Sequence, residues 1–441
     1  MKKKIFALTM VISMLFSCIA YANEGVSLFA VSGKGTEANP FRITNEEELL
    51  LLADFPECYF ELENDIELTS AWEPVADFSG YFNGKGHTIT VSEYVEKYKM
   101  GFFGILNGTV ENLTFNAVEL EFSNSGFSSG DKAYAGVIAG KVNGTVRNCK
   151  VVGNINVKSA DYSSVGVICG TCSGTIEKTI SEAVISSERS IGGICSTLQG
   201  TVSECAVFND YIKNSSIYGL VESLNGGEII NSYNFDKNVS TKSVGYRGIA
   251  GSNGGGKIIN CYSRGISGIT GTKYGISSGG TMTNCYYDKV VLGNTATAYG
   301  TPKSTLAMKM QVTYKDWDFE NIWGIDESEE NPINDGYPYL KWMHENAAQP
   351  VTLSSAKAVA GNIVFDVKIT DITDIYMLHI ALYNSNNELC DYIVVPNERL
   401  LKDAFVVFPD NNGATSAKIF TWNEENKIEP VAKNELIQIE R

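Results

Sequence analysis

Three tyrosines recur at one position of a repeated segment, where they could bind a sugar chain. Tyr233, Tyr262 and Tyr286 each stand six residues after a glycine that opens one copy of the repeat. If the copies stack as neighbouring strands, the rings form a ladder about 10 Å long. We expect this position to point outward, since its neighbours are inward, and exposed aromatic rings make the three tyrosines the candidate ligand-binding site. Two structural alternatives remain open: stacked rings stabilise a sheet without a ligand, and the C-terminal region could cover them.

No motif typical of catalysis, cofactor binding or metal binding stands out. The histidines, His87, His344 and His379, lack metal-ligand spacing. The acidic run at 326–330 lacks the alternate spacing of a calcium loop, so a solvated loop is the better interpretation. The glycine-rich run at 251–257 resembles a phosphate loop but lacks its final Ser or Thr and precedes a strand. We therefore predict no catalytic residue, no cofactor and no metal site.

Cysteine usage indicates buried thiols. Of the ten cysteines, Cys18 lies in an N-terminal segment that we expect to be removed, and six of the others fall at small inward positions of the repeat. An exported protein usually forms disulfides. Side chains that stack in parallel do not favour disulfide geometry, so we predict mainly reduced thiols packed as small core residues.

A seven-fold repeat defines the architecture. Its opening glycines are separated by 24 to 36 residues, and apolar or small residues stand two and five positions after each. This period fits coils of a parallel β-helix with two or three short strands each, and we expect about nine coils. Asparagine occupies the fourth position in five copies, so we expect a ladder of stacked amides, interrupted by Lys178 and Glu204. The opening glycines are Gly108, Gly144, Gly174, Gly200, Gly227, Gly256 and Gly280.

Capping segments should cover both ends of the β-helix, which spans residues 23–345. The N-terminal cap, at about 40–75, contains a predicted capping box of Thr44 and Glu47 that opens a helix over 45–53. The C-terminal cap, at about 304–343, concentrates three of the five tryptophans and reads as a hydrophobic plug.

The repeat region resembles a known family. The segment 78–89, followed by Gly101-Phe-Phe-Gly-Ile-Leu and Gly108-Thr-Val-Glu-Asn-Leu, is similar to the GLUG repeats of bacterial surface proteins. The resemblance implies a right-handed parallel β-helix outside the cell, as in adhesins and the non-catalytic region of immunoglobulin A proteases. The zinc motif of those proteases is absent, because His344-Glu345-Asn346 does not continue it.

The last segment, 350–441, differs in composition, with few glycines and clear alternation of apolar residues. Six or seven short strands in about 90 residues predict a small β-sandwich. The runs Ala381-Leu-Tyr383 and Lys418-Ile-Phe-Thr-Trp422 resemble fibronectin-like modules of extracellular proteins.

The N-terminal segment predicts export. Three lysines, an apolar run at 5–19 and Ala20-Tyr-Ala22 are typical of a secretory signal peptide over 1–22, cleaved after Ala22. A lipoprotein anchored at Cys18 is the alternative. No later apolar run is long enough for a transmembrane helix.

Together these features predict an all-β exported protein, either secreted or at the cell surface. Its net charge of −16 argues against nucleic-acid partners. We expect a binding or adhesion module without catalysis, whose partner is an extracellular glycan or a host or neighbouring surface protein. A polysaccharide-processing enzyme and a structural spacer are the alternatives. Converging carboxylates in a cleft would favour the enzyme, whereas an aromatic or flat polar strip along the coils would favour binding.

Overall fold

The structure is a computed structural model of the 441-residue chain. The predicted signal peptide at 1–22, including Cys18, lies outside the described residues. The chain divides between Leu340 and Lys341 into two compact units, each described below by itself. The structure describes residues 31–123, 133–158, 162–213, 216–240, 244–293, 299–326, 332–345, 351–359, 362–369, 377–386, 388–396, 404–409, 414–422 and 437–440.

The first unit is a parallel β-solenoid, which confirms the all-β class and the stacked coils. Seven complete coils each contribute strands to four faces, here named A, B, C and D in chain order, and every face consists of parallel strands from successive coils. The coils are thus fewer than the nine expected. Each coil also has more strands than the two or three expected. The additional strand lies on face D, where the chain pairs with neighbouring coils before it returns to face A.

The strands of each face are as follows. Face A comprises Val75–Phe78, Phe103–Leu106, Ala139–Val142, Cys169–Cys172, Cys195–Leu198, Val221–Leu224 and Ala250–Asn253. Face B comprises Phe41–Ile43, Tyr59–Leu62, Tyr81–Asn83, Thr109–Glu111, Thr145–Arg147, Thr175–Glu177, Thr201–Ser203, Glu228–Ile230, Lys257–Ile259 and Thr281–Thr283. Face C comprises Ile66–Glu67, Thr88–Val91, Thr114–Phe122, Lys150–Val157, Ile180–Ser187, Ala206–Val207 with Asp210–Lys213, Tyr233–Asn234, Tyr262–Ser263, Tyr286–Asp288 and Thr301–Lys303. Face D comprises two small sheets, Lys99–Met100, Ala133–Ala135 and Tyr162–Val165, then Ile191–Gly192, Ser216–Tyr218, Gly245–Arg247 and Lys273–Tyr274.

The repeat glycines stack at the corner between faces A and B, as predicted. A Cβ atom on Gly144 would lie 2.0 Å from the carbonyl oxygen of Gly108, and one on Gly174 would lie 2.0 Å from that of Gly144. No side chain fits there, because each corner rests on the backbone of the preceding coil. The glycines therefore permit close stacking of the corners.

Inside the solenoid, the predicted inward columns form the core. Val110, Val146 and Ile176 are fully buried, and the fifth position after each repeat glycine is buried in every copy. Eight of the nine described cysteines are buried and none of the nine is in a disulfide, which confirms that they pack in the core, while their reduced state stays a prediction. Burial raises the pKa of the Cys149 thiol to about 12, so this thiol is not ionised at neutral pH.

The backbone conformation at the corner of faces B and C explains why asparagine predominates in this column. All seven residues of this column have positive φ, between 47° and 53°. Asparagine tolerates this left-handed conformation better than most residues. The amides also bond along the axis, with Asn148 Nδ2 donating to Asn112 Oδ1 at 2.7 Å. Lys178 and Glu204 interrupt the amides as expected, and the Lys178 ammonium lies 3.8 Å from the Glu204 carboxylate.

At the N-terminal end, two short helices, Glu46–Leu49 and Leu51–Asp54, bury Leu49, Leu51 and Leu52 against the core. The predicted capping box was wrong in its residues. Asn45 is the N-cap and accepts from the Glu48 backbone, while the Thr44 hydroxyl donates to the Glu48 carboxylate. The helix begins one residue later than expected, because the Asn45 side chain takes the capping role.

Short elements follow the last coil, and the second unit begins soon after them. These are the helices Lys289–Leu292 and Thr305–Met308, the 3-10 turns Gln311–Thr313 and Ile333–Gly336, and the strands Trp323–Gly324 and Tyr339–Leu340, which pair antiparallel. The helix Trp342–Glu345 belongs to the second unit. Among its described residues, the second unit has seven strands in one continuous pairing order, so the fibronectin-like sandwich stays a prediction. In that order the strands are Leu389–Pro396, Met377–Tyr383, Ser416–Trp422, Ile437–Glu440, Val351–Val359, Asn362–Ile369 and Ala404–Pro409.

Candidate functional site

The tyrosine ladder exists, but it is not an exposed surface. Tyr233 and Tyr262 stack with centroids 5.0 Å apart, and Tyr286 pairs with Tyr262 in the next strand. The three side chains are only 1%, 0% and 7% exposed. The prediction of an exposed aromatic strip was therefore wrong, and the hypothesis that these tyrosines bind a ligand loses its basis.

The C-terminal cap covers the ladder, which is the physical reason for the error. Trp317 and Trp323 pack against Tyr262 with centroids 6.3 and 6.2 Å away. The Tyr262 hydroxyl donates to the Pro338 carbonyl at 2.7 Å, and Tyr337 stacks on the ring at 6.2 Å. The aromatic segment thus lies along the outer side of face C in the last coils. It buries rings that point outward with respect to their own strands.

An open groove does exist elsewhere on the solenoid, in the corner between faces A and D. Its volume is about 480 Å³. The face A wall repeats the same positions in successive coils, because Ile105, Lys141, Thr171 and Thr197 are consecutive partners in the strand register. The face D wall presents Tyr134, which pairs with Lys99 on one side and Ser164 on the other. The full lining is Lys99, Ile105, Tyr134, Lys141, Ser164, Thr171, Cys172, Ser173, Thr197, Gln199 and Asn225.

Glycines bring the two walls of this groove together. A Cβ atom on Gly140 would lie 2.8 Å from the Cα atom of Lys99, and one on Gly170 would lie 2.8 Å from the Cβ atom of Tyr134. Face D therefore packs directly against the backbone of face A, with no side chains between them. Lys141 and Thr171, which directly follow these glycines, line the resulting concave corner.

The rim of the groove is a ladder of polar side chains. Asn143 Nδ2 donates to Asn107 Oδ1 at 2.7 Å, and the Ser173 hydroxyl donates to Asn143 Oδ1 at 2.8 Å. Gln199 and Asn225 continue the rim in the following coils. Amides and hydroxyls that already bond one another are held in position and retain further donors and acceptors for a polar ligand.

A half-buried carboxyl group lies in the same corner beyond the groove. Glu222 lies beside Ser223, which follows Thr197 in the strand register, and it accepts a hydrogen bond from the Ser196 hydroxyl at 2.7 Å. Burial is the largest effect on its pKa, which is raised, although Ser196 and Arg189 act in the opposite direction. Among the residues that the structure describes, no group of three His, Cys, Asp or Glu side chains could hold a metal ion.

Face B carries a second, flatter polar surface. Its outward column begins with Tyr59 and Tyr81, whose rings lie 5.6 Å apart, and continues with Thr109, Thr145 and Thr175. Burial raises the pKa of Tyr81, and the hydrogen bond that its hydroxyl donates to the Glu111 carboxylate acts in the same direction. A shallow depression of about 280 Å³ lies beside these rings.

Sequence reasoning missed both surfaces. The groove could have been inferred from a repeated sequence pattern, in which a polar residue directly follows a glycine: Gly140-Lys141 and Gly170-Thr171. Residues 327–330 of the acidic run lie outside the described residues. His87 Nδ1 lies 3.1 Å from the Asp65 carboxylate, an interaction that fits a structural turn residue.

Comparisons with known proteins give a fragmentary picture. The chain is 36% identical over 110 residues to a protein of Evansella cellulosilytica named as a Gly-rich membrane protein. That match covers 22% of this chain and 13% of the relative. No family model matches the chain, and no solved structure matches it. Within the described residues, no helix has the length and apolar character needed to cross a membrane.

Proposed function

We propose that the chain is an exported surface or secreted module that binds an extracellular glycan, or a host or neighbouring surface protein, without catalysis. The observation that carries the proposal is the groove between faces A and D. Its face A wall has polar side chains at one position of three successive coils, Lys141, Thr171 and Thr197, which suits a ligand with a repeating structure. A structural spacer would need no such groove. The GLUG resemblance and a relative named as a membrane protein support a place at the cell envelope.

The alternative of a polysaccharide-processing enzyme is less well supported. Hydrolysis of a glycosidic bond ordinarily uses two carboxyl groups placed around that bond. The corner contains Glu222, but no Asp or Glu is among the residues that line the groove. We therefore propose that the protein binds a glycan chain and does not cleave it.

A glycan array with the purified protein tests this proposal, together with one pair of variants. Thr171→Trp places a bulky ring in the groove, and Thr175→Trp places the same ring on face B of the same coil; both threonines are half-buried on outer faces. We expect Thr171→Trp to remove binding and Thr175→Trp to retain it. Binding to no array member, or equal binding by both variants, would refute the proposal.

A further inference from the structure

The groove carries positive charge on a protein that is acidic as a whole. Among the described residues that line it are two lysines, Lys99 and Lys141, and no Asp or Glu, although the chain as a whole has a net charge of −16. A local positive surface on an acidic protein concentrates anionic ligands at that place and repels them elsewhere.

Within the described residues, these two ammonium groups have no carboxylate partner. Many cations of the solenoid form ion pairs, such as Arg147 with Glu177 and Lys257 with Glu228. Over the part of the chain that the structure describes, neither Lys99 nor Lys141 lies in an ion pair. Both side chains are half-buried along the groove walls, so their charges are held at the site.

The fold places the two lysines side by side. The Lys99 backbone packs on Gly140, which immediately precedes Lys141 in the sequence. Tyr134 is the register partner of Lys99 in the next strand of face D, so an aromatic ring adjoins the two charges. Aromatic rings pack against sugar faces, and lysines bind carboxylates or sulfates as point charges.

Building on the proposed function, we propose that this groove binds carboxylate-bearing saccharide chains. Lys99 and Lys141 contact the carboxylates, and Tyr134 packs against a sugar ring. From Ile105 to Thr197 the face A wall spans four strands, or about 14 Å, which accommodates about three sugar rings. Thr171, Thr197 and the Asn143–Ser173 rim supply hydroxyl and amide partners for the sugar hydroxyls.

A saccharide fits better than an acidic peptide. An extended peptide binds most readily by adding a strand to a free sheet edge. The face A strands at the groove are paired on both sides, so they offer side chains and no free edge. The repeated hydroxyl and amide ladder matches the repeated hydroxyls of a sugar chain.

The test compares ligands that differ only in charge. Polygalacturonate and its methyl-esterified form share a backbone, and hyaluronan and dextran extend the comparison. We expect the protein to bind polygalacturonate or hyaluronan and to bind the neutral chains at least about tenfold more weakly. Binding should weaken as NaCl rises from about 50 to about 500 mM, because salt screens the lysines.

Variants identify the residues responsible. Lys99→Gln and Lys141→Gln should each weaken polygalacturonate binding about tenfold. Lys257→Gln, which changes net charge equally but lies on face B, should leave it within about twofold. Equal binding of esterified and unesterified chains, equal effects of all three variants, or preferential binding of poly-L-glutamate would each overturn the inference. If the protein binds only neutral glycans on the array and Thr171→Trp removes that binding, the inference fails and the proposed function stands. If the protein binds no glycan, both fail.

Discussion

Replacing Lys178 and Glu204 by asparagine should stabilise the solenoid. Both residues occupy the corner column in which the other five copies have asparagine, with φ of 48° and 51°. The left-handed conformation costs ordinary residues about 1 to 2 kcal/mol, and asparagine less because its short side chain bonds locally. We therefore expect each substitution to recover about 0.5 to 1 kcal/mol.

The gain is reduced by the ion pair that the substitutions remove. Lys178 and Glu204 are partly exposed and 3.8 Å apart, so this pair contributes about 0 to 1 kcal/mol. Burial also raises the pKa of Glu204, which means that its charge is poorly solvated and that its removal has little cost. The continuous amide ladder from Asn148 to Asn231 adds new hydrogen bonds. The double variant should gain about 1 kcal/mol in free energy of unfolding.

Urea unfolding followed by circular dichroism measures this difference. With a denaturant slope of about 3 kcal/mol/M, the midpoint should rise by about 0.3 M. The matched control is the double alanine variant, which removes the ion pair but keeps residues poorly suited to positive φ, and it should show no gain. An equal rise in the alanine variant, or none with asparagine, would refute the backbone argument.

Three further outcomes follow from the interior of the solenoid. Burial raises the pKa of Asp236 from 3.8 to about 8, so unfolding releases a proton in this range. The free energy of unfolding should therefore fall by about 1.4 kcal/mol per pH unit from pH 4 to 8, a slope that Asp236→Asn removes in urea titrations at several pH values. Val146→Asp buries an unpaired charge and should cost about 3 kcal/mol or more by urea unfolding, whereas Thr145→Asp on the outer side should cost little. Thiol titration of denatured, unreduced protein should detect mainly free sulfhydryls, and reaction of fewer groups than the six cysteines of the repeat would contradict the reduced core.

Local patterns were sufficient to predict the solenoid. The glycine spacing predicts the coils, and the apolar positions two and five residues later predict the buried columns, because each coil contacts only its neighbours. The same pattern correctly marked position six as outward in its own strand: Lys150 occupies it on face C and is only half-buried.

The features that the sequence did not predict depend on contacts between distant segments. The exposure of Tyr262 could not be inferred from its strand, because Trp317 and Trp323 return from beyond the last coil to cover it. The groove also required the fold, since Lys99 and Lys141 are separated by a whole coil in sequence and meet only through the glycine contact between faces A and D.

Hydroxyl-radical footprinting with bound polygalacturonate tests the central claim, that the groove between faces A and D is the ligand site. Tyr134 lies in the groove, while Tyr59 and Tyr81 are similarly half-buried on face B and serve as internal controls. We expect the ligand to reduce oxidation of Tyr134 and to leave Tyr59 and Tyr81 unchanged. Protection of the two face B tyrosines with no change at Tyr134 would contradict the account.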